Sequence, residues 1–449
     1  MKMVFKFLGI DKAIFYTSSS SIIGAVGNVA SAFLVIKFLT INEQGFYYTF
    51  GSLVAIQIFF ELGLNGIITQ FVAHENAQLK WDNDKLMIGD DQNKSRLASL
   101  LHFCIKWYLL FSFLLIVALV LSGVYFFTKY QQVNYNVKWQ APWVLLSITT
   151  ALNLLISPVI AFLQGLGKVK EIANFQLYAQ IARLSIIYIT LILGLKLYVL
   201  GIGSFTMFIL MLVLVLNSFK TQLLLIWKIK IIDRVNYFNE IFPYQWKIAL
   251  SWISGYFIFQ IFNPVLFVSE GAKVAGQMGL TLAVLNGILS LSLSWMTTKV
   301  PLFSTLIANK KFDELDIIFN KSLKQSLFIN SSLLLTFLSL IISLKYFNVK
   351  IGQFQLSERF ISFMPMILMM LTIFINQIVS SWATYLRCHK KEPYLLNSIV
   401  GGVLSGFSTL YFGKHFGLMG ITLGYFTINL LMFPWAYYIY TNKRAKWHL

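Results

Sequence analysis

The sequence predicts an all-α integral membrane protein of twelve transmembrane helices, with both termini on the cytoplasmic side. Three observations carry that expectation. The chain is 57% hydrophobic and 12% charged over 449 residues, with a mean hydropathy of +0.71, whereas a soluble domain carries roughly a quarter charged residues. Its apolar residues lie in continuous runs rather than in alternation, and most runs approach or exceed the roughly 20 residues that a membrane helix needs. Lys and Arg recur in alternate loops, as orientation in a bilayer requires.

The spans fall at about 16–39, 46–71, 103–127, 142–163, 174–194 and 198–219, then at 247–268, 276–298, 325–344, 360–384, 395–412 and 417–440. Three pairs are joined by short polar breaks. The turns are assigned to Asn42-Glu43-Gln44-Gly45, to Gly194 with Lys196, and to Gly413-Lys414-His415. Membrane β-strands are excluded, because the runs are longer than the roughly 10 residues of such a strand and do not alternate. The start of the chain is basic and enters a full-length span without a small-residue cleavage site, so the first helix is expected to act as the insertion signal.

With an inside N-terminus, 25 of the 36 Lys and Arg fall in cytoplasmic segments and 8 in outer ones, leaving Lys37, Lys106 and Arg183 within spans or at their rims. One helix more or fewer would reverse every later loop and blur that split. The net charge of +19 is therefore assigned to orientation and anionic lipid, not to nucleic acid. Cys104 and Cys388 lie far apart near cytoplasmic ends, where a disulfide is not expected. The acids of 76–96 lack the spacing and the turn glycine of a calcium loop. No metal site or cofactor is expected, and no HExxH, Gly-rich phosphate loop or CxxC is present.

An internal repeat divides the chain into a six-helix lobe at 1–234 and another at 235–449. GFYYTFGSLVAIQ from Gly45 parallels GQMGLTLAVLNG from Gly276, LGIGSFTMFILML from Leu200 parallels MGITLGYFTINLL from Met419, and the basic loop LQGLGKVKE from Leu163 parallels LRCHKKEP from Leu386. Six helices per half make the repeats parallel, an arrangement in which transporters place the substrate site between the halves.

Candidate site residues are polar groups inside spans, which are expensive there and usually face a cavity or each other. Span two carries Gln57, Glu61, Asn65 and Thr69 on one slowly turning face, and span five carries Gln176, Gln180 and Arg183. Span one adds Asn28 beside Ser21, Gly24 and Ser31, span seven adds Gln260 and Asn263 before Pro264, and span ten adds Asn376 and Gln377. A shared hydrated cavity and interhelical hydrogen bonding within a lobe both stay open for the amides and hydroxyls. Arg183, about nine residues into its helix and so near mid-membrane depth, is the leading binding candidate, with a buried ion pair to Glu61 as the alternative. Lys37 and Lys106 lie near helix ends, from which they can reach a head-group layer. Pro264 and the glycines of spans one and eight are the expected bending points.

The segment GFYYTFGSLVAIQIFFELGLNGIITQFVAHE (Gly45 to Glu75) and the stretch FLQGLGKVKEIANFQ from Phe162 resemble bacterial oligosaccharide flippases, the O-antigen and capsule repeat-unit translocators of the Wzx type within the MATE-like superfamily. The resemblance extends over the whole chain in length, helix count and two-lobed layout. It implies a V of two lobes around a central cavity in the bacterial inner membrane. It also implies a non-enzymatic flippase that moves undecaprenyl-pyrophosphate-linked oligosaccharide to the outer leaflet by alternating access. Arg183 would then meet the pyrophosphate or acidic sugars, and Glu61 would sense a coupling ion. Membrane lipid is the expected surrounding partner, and a glycan polymerase and chain-length regulator stay open as protein partners. The alternatives are an ion-coupled multidrug or metabolite exporter of the same superfamily and a membrane glycan polymerase. The exporter is disfavoured by the lack of acids in span one, and the polymerase by the short outer loops.

Overall fold

The computed structural model describes residues 12–82, 86–131, 137–351, 354–389 and 391–448. They form helices throughout, apart from two small hairpins, β1 (Lys80–Asp82) with β2 (Leu86–Ile88) and β3 (Lys350–Ile351) with β4 (Phe354–Gln355). Among the described residues, nine helices are long and apolar enough to cross a membrane, or ten when a bent pair counts as one span.

The first half contains α1 (Lys12–Phe38), then α2 (Ile41–Val54), α3 (Ile58–Glu61) and α4 (Leu64–Asn76), which together make one interrupted span. Four more helices follow: α5 (Asp91–Tyr130), α6 (Gln140–Gly165), α7 (Val169–Ile192) and α8 (Tyr198–Trp227). The second half holds α9 (Phe242–Phe259), α10 (Phe262–Ser269), α11 (Ala272–Thr297), α12 (Val300–Ala308), α13 (Phe312–Tyr346), α14 (Phe363–Arg387) and α15 (Leu395–His448). Within the first half α1 packs on α7, and α6 on α4, α5 and α8; within the second, α15 packs on α9, α10 and α14, and α11 on α13 and α14.

Two expected turns move. The chain turns at Leu39–Thr40, not at Asn42–Gly45, because Thr40 accepts from the Glu43 N–H at 3.2 Å while the Glu43 carboxylate accepts from the Thr40 N–H at 2.9 Å. That reciprocal capping box fixes the start of α2. The second correction lies inside α15, which runs helically through Gly413-Lys414-His415 and breaks at Gly417 (φ 56°, ψ −139°). Only glycine adopts that conformation readily, and Glu270 Oε1 accepts from the freed Leu418 N–H at 2.6 Å. The turn at Gly194 and Lys196 stands where expected, both residues having positive φ.

Bending differs too. Pro264 follows a real break, with α9 and α10 meeting at 41°, as a missing proline N–H allows. The glycines of the first and eighth spans lie in the continuous helices α1 and α11 and serve close packing instead. The sharpest break is unforeseen: Leu62 and Gly63, both left-handed (φ 48° and 68°), separate α3 from α4 in the middle of the second span. Irregular backbone at membrane depth is tolerated only where protein buries it or a cavity wets it. Cys104 is buried and Cys388 half-buried, and both are free thiols.

The segment between the halves is clasped to the first half. Arg96, near the start of α5, donates to Glu75 at 2.9 Å and to Glu240 at 2.5 Å, and lies 3.6 Å from Asp233. The Ser95 hydroxyl accepts from the Ile232 and Asp233 N–H groups at 2.7 and 2.8 Å. A hydrogen bond from Gln92, aided by Arg96, holds the Asp233 carboxyl below its usual range. Burial pushes Glu240 up, but bonds from Arg96 and from the Asn236 N–H outweigh it and leave the net shift downward. In the second half Asp316 gathers Arg444 (2.5 Å), the Tyr385 hydroxyl and His448, tying the end of α15 to α13 and α14.

Candidate functional site

The two halves meet where α1 and α2 pack on α11, where α2 packs on α10, and where α3 and α4 pack on α9. At the end bearing the 39–40 and 270–271 turns, α2 crosses α11 at backbone distance. A Cβ on Gly276 would lie 2.7 Å from the Gly45 nitrogen, one on Gly45 would overlap the Ala272 carbonyl, and one on Gly279 would overlap the Tyr48 side chain. Small residues of this kind let membrane helices approach where lipid offers no hydrophobic drive for association. Phe46 of α2 packs edge-on against Phe267 of α10 with centroids 5.0 Å apart, and Phe50 and Phe127 extend the same aromatic knot.

Polar groups lock the crossing. Gln44, 0% exposed, donates to the Gly276 carbonyl (2.8 Å) and the Arg359 carbonyl (3.1 Å), and its own oxygen accepts from Arg359 Nη1 at 3.2 Å. Arg359, 5% exposed, reaches this point from the loop before α14. Asn263 Nδ2 donates to Ser52 Oγ at 3.0 Å, again between the halves. Further along, Phe59 stacks edge-on against Tyr256 at 5.2 Å.

The structure separates the remaining candidates by half. In the first, Glu61 accepts from Asn65 at 2.6 Å, Asn65 accepts from the Tyr108 hydroxyl at 2.9 Å, and Thr69 donates to the Ala161 carbonyl at 3.0 Å. This polar row spans the Leu62–Gly63 break. Gln57 is half-buried just before it. Arg183 is half-buried, within electrostatic range of Tyr47 and with its stem over Gly203 of α8. The alternative ion pair with Glu61 is not formed, and among the described residues Arg183 has no hydrogen-bonded or ion-paired partner. Gln180 lies over Gly24 of α1, and Gln176 is half-buried one turn earlier. Asn28 falls within α1, but its side chain lies outside the described residues.

In the second half Asn376 donates to the Tyr425 hydroxyl at 3.2 Å. Gln377 is wholly buried in a knot with Ser292, Ser326 and Asn330 that joins α11, α13 and α14. Gln260 is exposed at the α9–α10 break. Lys37 and Lys106 are exposed, the former with its ammonium 5.4 Å above the Phe38 ring. Sequence reasoning misses Gln44 and Arg359, because both read as loop residues. The reciprocal Thr40-x-x-Glu43 spacing is the one signal that would have placed Gln44 in a helix.

The described residues thus form helical bundles that meet through the glycine contacts of α2 with α11 and through the broken helices α3, α4 and α9. No protein-family model and no curated protein matches the sequence. Solved structures do share the fold. The lipid II flippase MurJ in an inward closed conformation aligns with a TM-score of 0.63 at 13% identity, covering 94% of this chain and 86% of the other. The MATE multidrug transporter DinF-BH aligns at 0.57 and 13% identity, covering 98% of both chains. An outward-facing multidrug resistance MATE family transporter of the MOP superfamily aligns at 0.54 and 13%, covering 96% of both. The chain therefore shares the fold of these structures.

Proposed function

We propose that this protein is a flippase for undecaprenyl-pyrophosphate-linked oligosaccharide in the bacterial inner membrane, with halves at 1–234 and 235–449 working by alternating access. In this reading the chain crosses twelve times: α1 is the first crossing, and α15 supplies two across Gly417. Both termini face the cytoplasm. The observation that carries the reading is Arg183, a guanidinium held within the first half without a counter-ion among the described residues. An uncompensated cation at such depth is costly, and a bound anion removes that cost. Phosphate oxygens suit its forked donors.

The topology from the Lys and Arg distribution places the Gly45–Gly276 crossing at the outer end. Cargo then enters from the cytoplasmic side while the outer end is shut, and rocking of the halves exchanges the two openings. Deletion of the gene should cause lipid-linked oligosaccharide to accumulate on the inner leaflet and surface glycan to disappear. Restoration by the wild-type chain but not by a well-expressed Arg183→Gln variant supports the reading. Drug sensitivity without that accumulation would instead identify an exporter.

A further inference from the structure

Inside the second half, away from Arg183, lies a cavity of about 320 Å³ walled by α9, α11, α14 and α15. Its polar lining includes three carboxamides, Asn376, Asn397 and Asn429. The amide nitrogens of two are committed to Tyr425: Asn376 donates to its hydroxyl and Asn429 to its carbonyl at 2.8 Å. Each therefore has its carbonyl oxygen left to accept. Asn397 is the opposite case, since among the described residues its buried Nδ2 atom has no partner. Buried donors are rarely left so, because an unpaired one costs about 1–3 kcal/mol.

The charge of the lining narrows the ligand. Among the described residues no carboxylate lines the cavity, so it lacks the hard anionic oxygens that divalent cations favour. The charge that does line it, Arg387, is held bidentately by Glu392 at 2.8 and 2.9 Å. What remains is an uncharged chamber with donors and acceptors, Ser380, Ser398 and Ser405 hydroxyls, and the rings of Phe259 and Phe433. Hydroxyl-rich rings with apolar C–H faces match that mixture. Its volume lies at the lower end of small-molecule sites.

Two glycines leave the chamber open. A Cβ on Gly255 would meet nothing within 4 Å, and one on Gly401 would meet only the Met432 tip at 3.8 Å. Larger residues there occupy the cavity without displacing backbone.

We infer that this chamber receives an uncharged sugar residue of the translocated glycan, so that the halves divide the cargo: the anionic head to the first and a neutral saccharide to the second. This rests on the flippase reading.

The test uses the full chain in the deletion strain. Gly255→Leu and Asn397→Leu should reach wild-type membrane levels yet lower surface glycan about tenfold or more, as when a site built to bond a hydroxyl loses that contact. The purified variants should bind inorganic pyrophosphate as the wild type does, which a general lesion would not permit. Gly401→Ala, which narrows the chamber least, should give an intermediate loss and decides the matter if the larger variants fail to accumulate. Wild-type glycan display by the accumulated variants would overturn the chamber, and would mark it as a water-filled space with Asn397 a tolerated flaw. A deletion strain that accumulates no lipid-linked glycan would overturn the flippase reading instead.

Discussion

Gly45 and Gly276 meet backbone to backbone, with a Cβ on Gly276 falling 2.7 Å from the Gly45 nitrogen. The same two residues begin the matching segments of the internal repeat. By the repeat expected from the sequence, these are equivalent positions of the two halves. A repeat axis that relates the halves must pass near such a self-equivalent contact.

Gly276→Leu should wedge that contact apart, since the added atoms would meet backbone rather than a movable side chain. Labelling of a Ser52→Cys variant by a membrane-impermeant maleimide added outside should rise several-fold when Gly276→Leu is combined with it. Unchanged labelling would show that the outer closure does not depend on this crossing.

Gln44→Leu should destabilise the protein by about 1–3 kcal/mol, because the Gly276 and Arg359 carbonyls each lose a buried donor. Arg359→Met removes the reciprocal bond. Thermal unfolding in detergent of the two single variants and the double variant should give less-than-additive losses, the mark of residues in one network.

Arg183→Gln should abolish binding of inorganic pyrophosphate by the purified protein, while Arg183→Lys retains part of it as a point charge without the fork. Equal binding by wild type and Arg183→Gln would remove Arg183 from the site.

The clasp on the interdomain segment should open in acid. Asp233 and Glu240 are both shifted below their ordinary values of 3.8 and 4.5. Groups shifted down contribute fully above the unfolded value and lose that contribution as pH falls through the lower, folded value. The clasp should therefore hold at neutral pH and through mild acid, and loosen only below the ordinary carboxylate range. Hydrogen exchange across 228–241 should be slow at pH 7 and accelerate there in Arg96→Gln, which breaks all three contacts at once.

The nine or ten spans seen among the described residues were legible because each is a continuous apolar run, and the chain reversal at Gly194 and Lys196 was legible from turn chemistry. Helix ends were harder. Asn42–Gly45 looks like a turn by composition, yet the Thr40–Glu43 box has already started the helix, and Gly45 serves contact rather than flexibility. Arg359 counts only as an outer-loop cation, because nothing local brings that loop back onto α2. The polar stripes were visible in outline, but their partition was not: periodicity reports which residues share a face, not which neighbour that face meets. Hence Gln377, expected among cavity residues, lies in a hydrogen-bonded knot, while Asn397 and Asn429 pass unnoticed in segments that read as apolar.

The Leu62–Gly63 break has a mechanical meaning. Beyond it, Thr69 pins α4 to the Ala161 carbonyl of α6, so that arm stays with its bundle. Before it, α2 carries Gln44 and Gly45 against the opposite half. One span is thereby two levers on a fulcrum, and in the proposed exchange of openings a few backbone rotations at its centre would let the gripping arm swing while the other stays anchored.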